Sequence, residues 1–197
     1  MVLKNCLPDM IKHIYKGMIV ELIDDRTFSP GSTDCIEYAK QYFADGLEAS
    51  NPSYCGISVC ETDLLITNCL LIGSAGTTIT DTSSLIDVNA LLVCCGDSLF
   101  SLDLPSLQLN WQTNLDPAAC FQVHMLNNGY LVHGELEISR VDRDGKVIWT
   151  FSGADIFVRY NGGDALIIGE DKIKLIDWEE NEYLLDFNGK VVWDSFR

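Results

Sequence analysis

Residues 142–149 read Asp-Arg-Asp-Gly-Lys-Val-Ile-Trp, and residues 186–193 read Asp-Phe-Asn-Gly-Lys-Val-Val-Trp. Five of the eight positions are identical, and the Asp144/Asn188 and Ile148/Val192 exchanges keep the chemistry. Each stretch is a tight turn, Asp-Gly or Asn-Gly, feeding a β-branched run that ends on tryptophan. These dipeptides are strong hairpin signals, because both central turn residues must tolerate positive φ. The C-terminal part of the chain is therefore read as repeated β-hairpin units.

Working back from that pair, a longer unit emerges. Strand-like runs at Ala90–Cys94, Tyr130–His133 and Ala165–Ile168 are each followed by a glycine and an acid: Gly96-Asp97, Gly134-Glu135 and Gly169-Glu170. An alternating strand ending on aspartate comes next, at Leu99–Asp103, Ile138–Asp142 and Ile173–Asp177. A turn and an outer strand then reach Trp111, Trp149 or, in the third copy, Leu184-Leu185. Short apolar segments around Phe121-Gln122-Val123 and Phe157-Val158-Arg159 separate the copies. The copies start roughly 35 to 40 residues apart, a propeller-blade period.

This pattern of short strand, Gly-acid turn, strand ending in Asp, Gly-Lys turn and Trp resembles the blades of quinoprotein-type (PQQ-like) β-propellers. The match lies at Asp103 and Trp111, at Asp142, Gly145, Lys146 and Trp149, and at Gly189, Lys190 and Trp193, within residues 80–193. The resemblance implies that aspartate and glycine shape the outer hairpin and that the tryptophan docks on the neighbouring blade. The first copy departs from it with Pro105-Ser106 in place of Gly-Lys, and the third adds a hairpin at Asn188-Gly189. At most about three and a half copies are present, against the roughly four to eight blades of a propeller. A quinone cofactor with its metal would need a full ring, so no cofactor is expected. Either the N-terminal segment caps an open half-propeller, or a second chain completes the sheet as a homodimer. The final hairpin, ending at Phe196-Arg197, is a candidate for closing the exposed edge.

The N-terminal region reads differently. Residues 8–23 fit one amphipathic helix, or a short helix to Lys16 followed by a strand from Met18 to Ile23, and the split is preferred. Asp34 and Glu37 form a capping-box-like pair before Ile36, Ala39 and Phe43, with Gly46 as a stop, which predicts a second helix. The expected fold is mainly β: a partial or half β-propeller of antiparallel sheets with one or two N-terminal helices. Residues 1–52 form the capping segment and 53–197 the blade region.

Charge bounds the partners. The formal net charge is −16, and no lysine or arginine occurs between Lys40 and Arg140, an interval holding eleven acids. Such a field repels nucleic acid and anionic membrane and steers cationic partners. The start of the chain has no apolar run of signal-peptide type, and no run is long enough to span a bilayer, so a cytoplasmic protein is expected. The eight cysteines include no C-x-x-C pair, which leaves no common zinc spacing and favours free thiols acting as small core hydrophobes.

Candidate chemistry is sparse. Gly73-Ser74-Ala75-Gly76 lacks the Gly-Lys-Ser/Thr of a phosphate loop. Asp142-Arg143-Asp144-Gly145 begins like a calcium loop, but the ligand pattern does not continue. The tryptophans fit inter-blade packing better than a stacking platform. His124, His133 and Cys120 would make an enzyme only if they converged. No catalytic or metal site is assigned. Small, acidic proteins without catalytic motifs are similar in general character to bacterial toxin-immunity proteins. A non-catalytic module binding a basic toxin of nuclease type is therefore the leading expectation, with Asp97, Asp103, Asp116, Glu135 and Glu137 as partner-binding candidates. A propeller-like interaction scaffold without a toxin partner is the alternative, and a small-molecule enzyme is third.

Overall fold

The computed structural model describes residues 10–29, 31–32, 35–46 and 52–195. Its strands form four sheets. Sheet 1 contains β1 (Met10–Tyr15), β2 (Met18–Asp24), β3 (Gln41–Phe43), β4 (Ser53–Glu61) and β5 (Leu64–Gly73). Sheet 2 contains β6 (Ser84–Asp87), β7 (Ala90–Cys95), β8 (Ser98–Asp103) and β9 (Gln108–Asn114). Sheet 3 contains β10 (Cys120–Met125), β11 (Gly129–Gly134), β12 (Glu137–Asp142) and β13 (Val147–Ser152). Sheet 4 contains β14 (Leu166–Ile168), β15 (Lys172–Ile176), β16 (Glu182–Asp186) and β17 (Val191–Asp194). Sheets 2, 3 and 4 are simple antiparallel meanders. Sheet 1 runs β1-β2-β4-β5-β3, with β3 parallel to β5, so it draws strands from both sides of residue 52.

The expected N-terminal helices are absent from the described residues. Met10 to Tyr15 alternate in burial, with Ile11 and Tyr15 inward, so period two wins over the helical spacing. Lys16 and Gly17 both have positive φ and turn the chain directly into β2. The strand expected from Met18 to Ile23 is present as β2. Asp34, the expected helix cap, lies outside the described residues, as do 1–9 and Phe196-Arg197. Residues 35–46 form no helix and pair through β3, because β5 offers their backbone better partners than a helix would. Leu70 N–H donates to Lys40 O, Ala44 N–H donates to Ile72 O, and the Asn68 amide bonds Ala39 N–H and Glu37 O.

Burial distinguishes the inner sheets from the outer ones. The middle strands β7, β8, β11 and β12 are buried on both faces, which is why they read as nearly continuous apolar runs. The middle strands of sheet 4, β15 and β16, alternate buried with half-buried positions, the pattern of a sheet covered on one face. The core follows suit in three clusters. One packs sheet 1 on sheet 2 through residues such as Val20, Val59, Leu91 and Phe100, and a second joins sheet 2 to sheet 3 through Leu92, Leu99, Tyr130 and Val132. The third joins sheet 3 to sheet 4 through Leu131, Ile138, Phe157 and Leu175. Among the described residues no cluster joins sheet 4 to sheet 1, so the sheets form an open arc.

The motif that opens the sequence builds the outer hairpins. Asp142 Oδ1 accepts the N–H groups of Asp144 and Lys146, and Asp186 Oδ1 accepts those of Asn188 and Lys190. Gly145 and Gly189 take φ near +80°, which a tight turn demands and L side chains resist. The Asp-x-Asp-Gly stretch is thus a hairpin whose first carboxylate is committed to backbone. Sheet 4 starts one strand later than the sequence pattern suggests. Residues 165–168 supply its first strand rather than its second, and the Asn188-Gly189 hairpin is its regular outer hairpin.

Candidate functional site

The structure brings together three of the five candidate acids. Asp97 sits in the β7–β8 turn, Asp116 follows β9, and Glu137 opens β12; all three line a cleft of about 310 Å³ between sheets 2 and 3. Asp97 accepts the Ser98 hydroxyl at 2.7 Å and stays half-exposed. Burial, and after it the negative charge of Asp116, pushes the Glu137 carboxyl above its ordinary range. Asp116 is 4% exposed, and its carboxylate accepts four backbone N–H groups: Ala118 and Ala119 on one oxygen, Leu136 and Glu137 on the other. It therefore ties the β11–β12 turn to the end of sheet 2 and presents no free oxygen edge to a partner, contrary to the surface role expected of it. Asp103 lies at the far end of β8, about 17 Å from Ser98 at strand rise, and accepts the Ser106 hydroxyl within its own turn. Glu135 is half-exposed in the β11–β12 turn, with its backbone bonded to Ala119 O and Phe157 N–H.

The histidine–cysteine set does not assemble. Cys120 packs in the cluster between sheets 2 and 3, where burial foremost, and then Cys94, raise its thiol well above the ordinary value. His133 faces the other way: its Nε2 donates to Phe157 O at 2.8 Å and its ring meets Phe121 edge-on. Burial lowers the His133 pKa, which favours the neutral ring. His124 bonds Gln122 at 2.9 Å. A thiol and an imidazole on opposite faces of one sheet cannot exchange a proton.

No family model and no curated protein matches the sequence. Solved structures do match in shape. The computationally designed Ika8 protein aligns at a TM-score of 0.51 and 12% identity over 93% of this chain and 60% of its own. The CNH domain of AfRom2 gives 0.51 and 10% over 94% and 53%. BamB from Moraxella catarrhalis gives 0.47 and 13% over 74% and 46%. The chain thus spans about half the length of these structures. Its fold is that of a partial β-propeller.

Within this propeller, each junction seats an aromatic side chain on the β-turn that precedes the outer strand of the next sheet. The Trp111 ring lies against Gly145 and donates Nε1–H to Arg143 O at 3.0 Å. Trp149 lies against Gly189 and donates to Phe187 O at 3.2 Å. Sheet 1 has no such tryptophan. Tyr15 and Tyr42 replace it, donating to Leu104 O and Leu107 O in the corresponding turn of sheet 2. The glycines leave room that any Cβ would fill, so the tryptophan–glycine pairing is steric as well as polar. These tyrosines carried no repeat signal in the sequence.

A second cleft, of about 450 Å³, opens where the chain enters the first strands of sheets 2, 3 and 4. Thr77, Thr80, Gln122, His133, Phe157 and Arg159 lie on its wall. Arg159 is held by Glu180 at 2.7 Å. Apart from Phe121, Gln122 and His133 in sheet 3, its walls come from linkers between repeats, which is why no motif marked it.

Proposed function

We propose that this chain is a non-catalytic interaction module that presents an acidic surface to a cationic protein, and that it also associates with a second copy of itself. The observation that carries the reading is sheet 2: no residue of its strands or turns is lysine or arginine, and Asp81, Asp97 and Asp103 lie on or beside it. Arg143, Lys16 and Lys40 reach its margin at Asp87, Asn89 and Ser106, and the acid-rich surface that Asp97 and Asp103 leave elsewhere accelerates encounter with a cationic partner and discriminates against wrong ones, with less effect on final affinity. Asp97 and Glu137, at the rim of the 310 Å³ cleft, are the acids placed to meet a basic side chain, with Asp103 and Glu135 contributing to the field.

The narrower reading, a cytoplasmic bacterial immunity protein that covers the basic substrate cleft of a nuclease-type toxin, is favoured by the same cleft. Burial has already made Glu137 costly to ionise, so an incoming cation would be welcomed there. Association rates with purified basic nuclease domains, and with a neutral control protein, test this from about 50 to 500 mM salt. The on-rate should fall at least tenfold across that range, and Asp97→Asn with Glu137→Gln should lower it further. Absence of binding at low salt, or binding indifferent to salt, refutes the reading.

A further inference from the structure

Trp193 repeats the chemistry of Trp111 and Trp149 without their acceptor. It stands in the same hairpin context, four residues after Gly189 as Trp149 is four after Gly145. Yet it is 47% exposed, and among the described residues no glycine lies under its ring and no carbonyl takes its N–H. It heads a row across the free face of sheet 4, Trp193–Leu184–Lys174–Ile167, set by the strand register. Lys174 in that row is paired with Glu182 at 2.7 Å.

The opposite end of the arc carries a matching feature. Across the free face of sheet 1 the register aligns Ile14, Ile19, Cys60 and Leu65 in one row. Ile14 is 77% exposed and Leu65 53%. The row lies beside the Lys16-Gly17 and Thr62-Asp63 turns. That is the end of the sheet from which Tyr15 reaches the β8–β9 turn of sheet 2, the same end at which Trp111 and Trp149 dock. Next to it, Lys12 pairs with Glu21 at 2.6 Å, so each free face carries an apolar row beside or containing one lysine–glutamate pair.

We propose that two copies associate end to end, the sheet-4 face of each on the sheet-1 face of the other, so that Trp193 packs against the Ile14–Leu65 row and two four-sheet arcs close into an eight-sheet ring. The inference rests on the reading of the chain as an interaction module and specifies its self-association. Junctions of this kind already hold the arc together three times, and eight sheets is within the range of closed propellers. The contact is heterologous, and a two-fold axis makes it close after two copies rather than grow into a fibre.

Light scattering across a concentration series tests it. The wild-type chain should give twice the 21.9 kDa monomer mass. Trp193→Glu and Ile14→Glu each remove a buried anchor worth about 30-fold per junction, so dimerisation should weaken by about 1,000-fold through the two junctions. Mixing the two variants should give a heterodimer about 30-fold tighter than either homodimer, because one junction then joins an intact Trp193 to an intact Ile14 and only the other has lost its contact. Circular dichroism checks that both variants stay folded. A monomeric wild type, a dimer that survives both substitutions, a mixture that stays monomeric, or a ladder of growing species each overturns the proposal. A monomer whose Trp193 fluorescence shifts only on adding the cationic partner overturns it in favour of that occupant. The dimer should persist at about 500 mM salt and ignore Asp97→Asn, whereas partner binding should not, so either reading can fail alone.

Discussion

Replacing Gly189 by alanine probes the junction between sheets 3 and 4 directly. An ideal Cβ there would sit 2.5 Å from Trp149 Cδ2 and 2.7 Å from Cγ, on a backbone with φ of +80°. The conformation alone costs an L-residue about 1–2 kcal/mol, offset in part by the entropy that alanine removes from the unfolded chain. Gly17 isolates that term, since its φ is +83° and nothing lies within 4 Å of its Cβ position. Gly17→Ala should therefore cost about 1 kcal/mol. Gly189→Ala must also displace the indole by about an ångström, losing the Nε1–H bond to Phe187 O and its packing on the third core cluster. A lost hydrogen bond is worth about 1 kcal/mol and partial loss of aromatic packing about as much, so the total is about 3 kcal/mol. For a chain of this size that lowers Tm by about 6–12 °C, against about 2–4 °C for Gly17→Ala. Thermal unfolding by circular dichroism reads both. In a double-mutant cycle with Trp149→Ala, the cost of Gly189→Ala should fall to that of Gly17→Ala. A coupling below about 0.5 kcal/mol would show that indole and glycine do not hold the junction.

Two further outcomes follow from buried polar groups. Asp116→Asn turns an NH₂ toward one of the two pairs of N–H donors that the carboxylate now satisfies, at about 2–3 kcal/mol; Asp103→Asn, with a single side-chain bond in its own turn, should cost under about 1 kcal/mol. Thermal melts at neutral pH separate them, and equal losses would refute the structural role of Asp116. His13, His124 and His133 all have pKa values lowered chiefly by burial, so the unfolded chain binds more protons than the native one below the ordinary histidine pKa. Their contribution is complete above that value and is lost as pH falls through it toward the depressed native values. Tm should drop between about pH 7 and 5, less steeply in His133→Phe, and a flat profile in the wild type would refute the neutral buried imidazole.

The hairpin repeat was legible because its chemistry is local: an aspartate that caps the turn, a glycine at positive φ and a tryptophan at fixed spacing all lie within eight residues. The same locality misled the register of sheet 4. Asp177 caps its turn as Asp142 does, Oδ1 accepting the N–H of Asn181 four residues on, and it is fully buried. One aspartate-capped turn therefore looked like the other, although Asp177 ends the second strand of its sheet and Asp142 the third. The helix expected over 34–46 failed for the opposite reason. Its periodicity was adequate, but Asn68 and the backbone of β5, some thirty residues away, satisfy that segment better than its own carbonyls could. Distance also hid Asp116. Asp116-Pro117 marks a turn start, but the Leu136 and Glu137 N–H groups that withdraw it from the surface lie twenty positions on. Counting copies gave too few blades because sheet 1 lacks the motif, its junction being made by Tyr15 and Tyr42 from strands far apart in sequence. With sheet 1 counted, the described residues hold four sheets, and in the proposed dimer the last tryptophan would meet the free face of sheet 1.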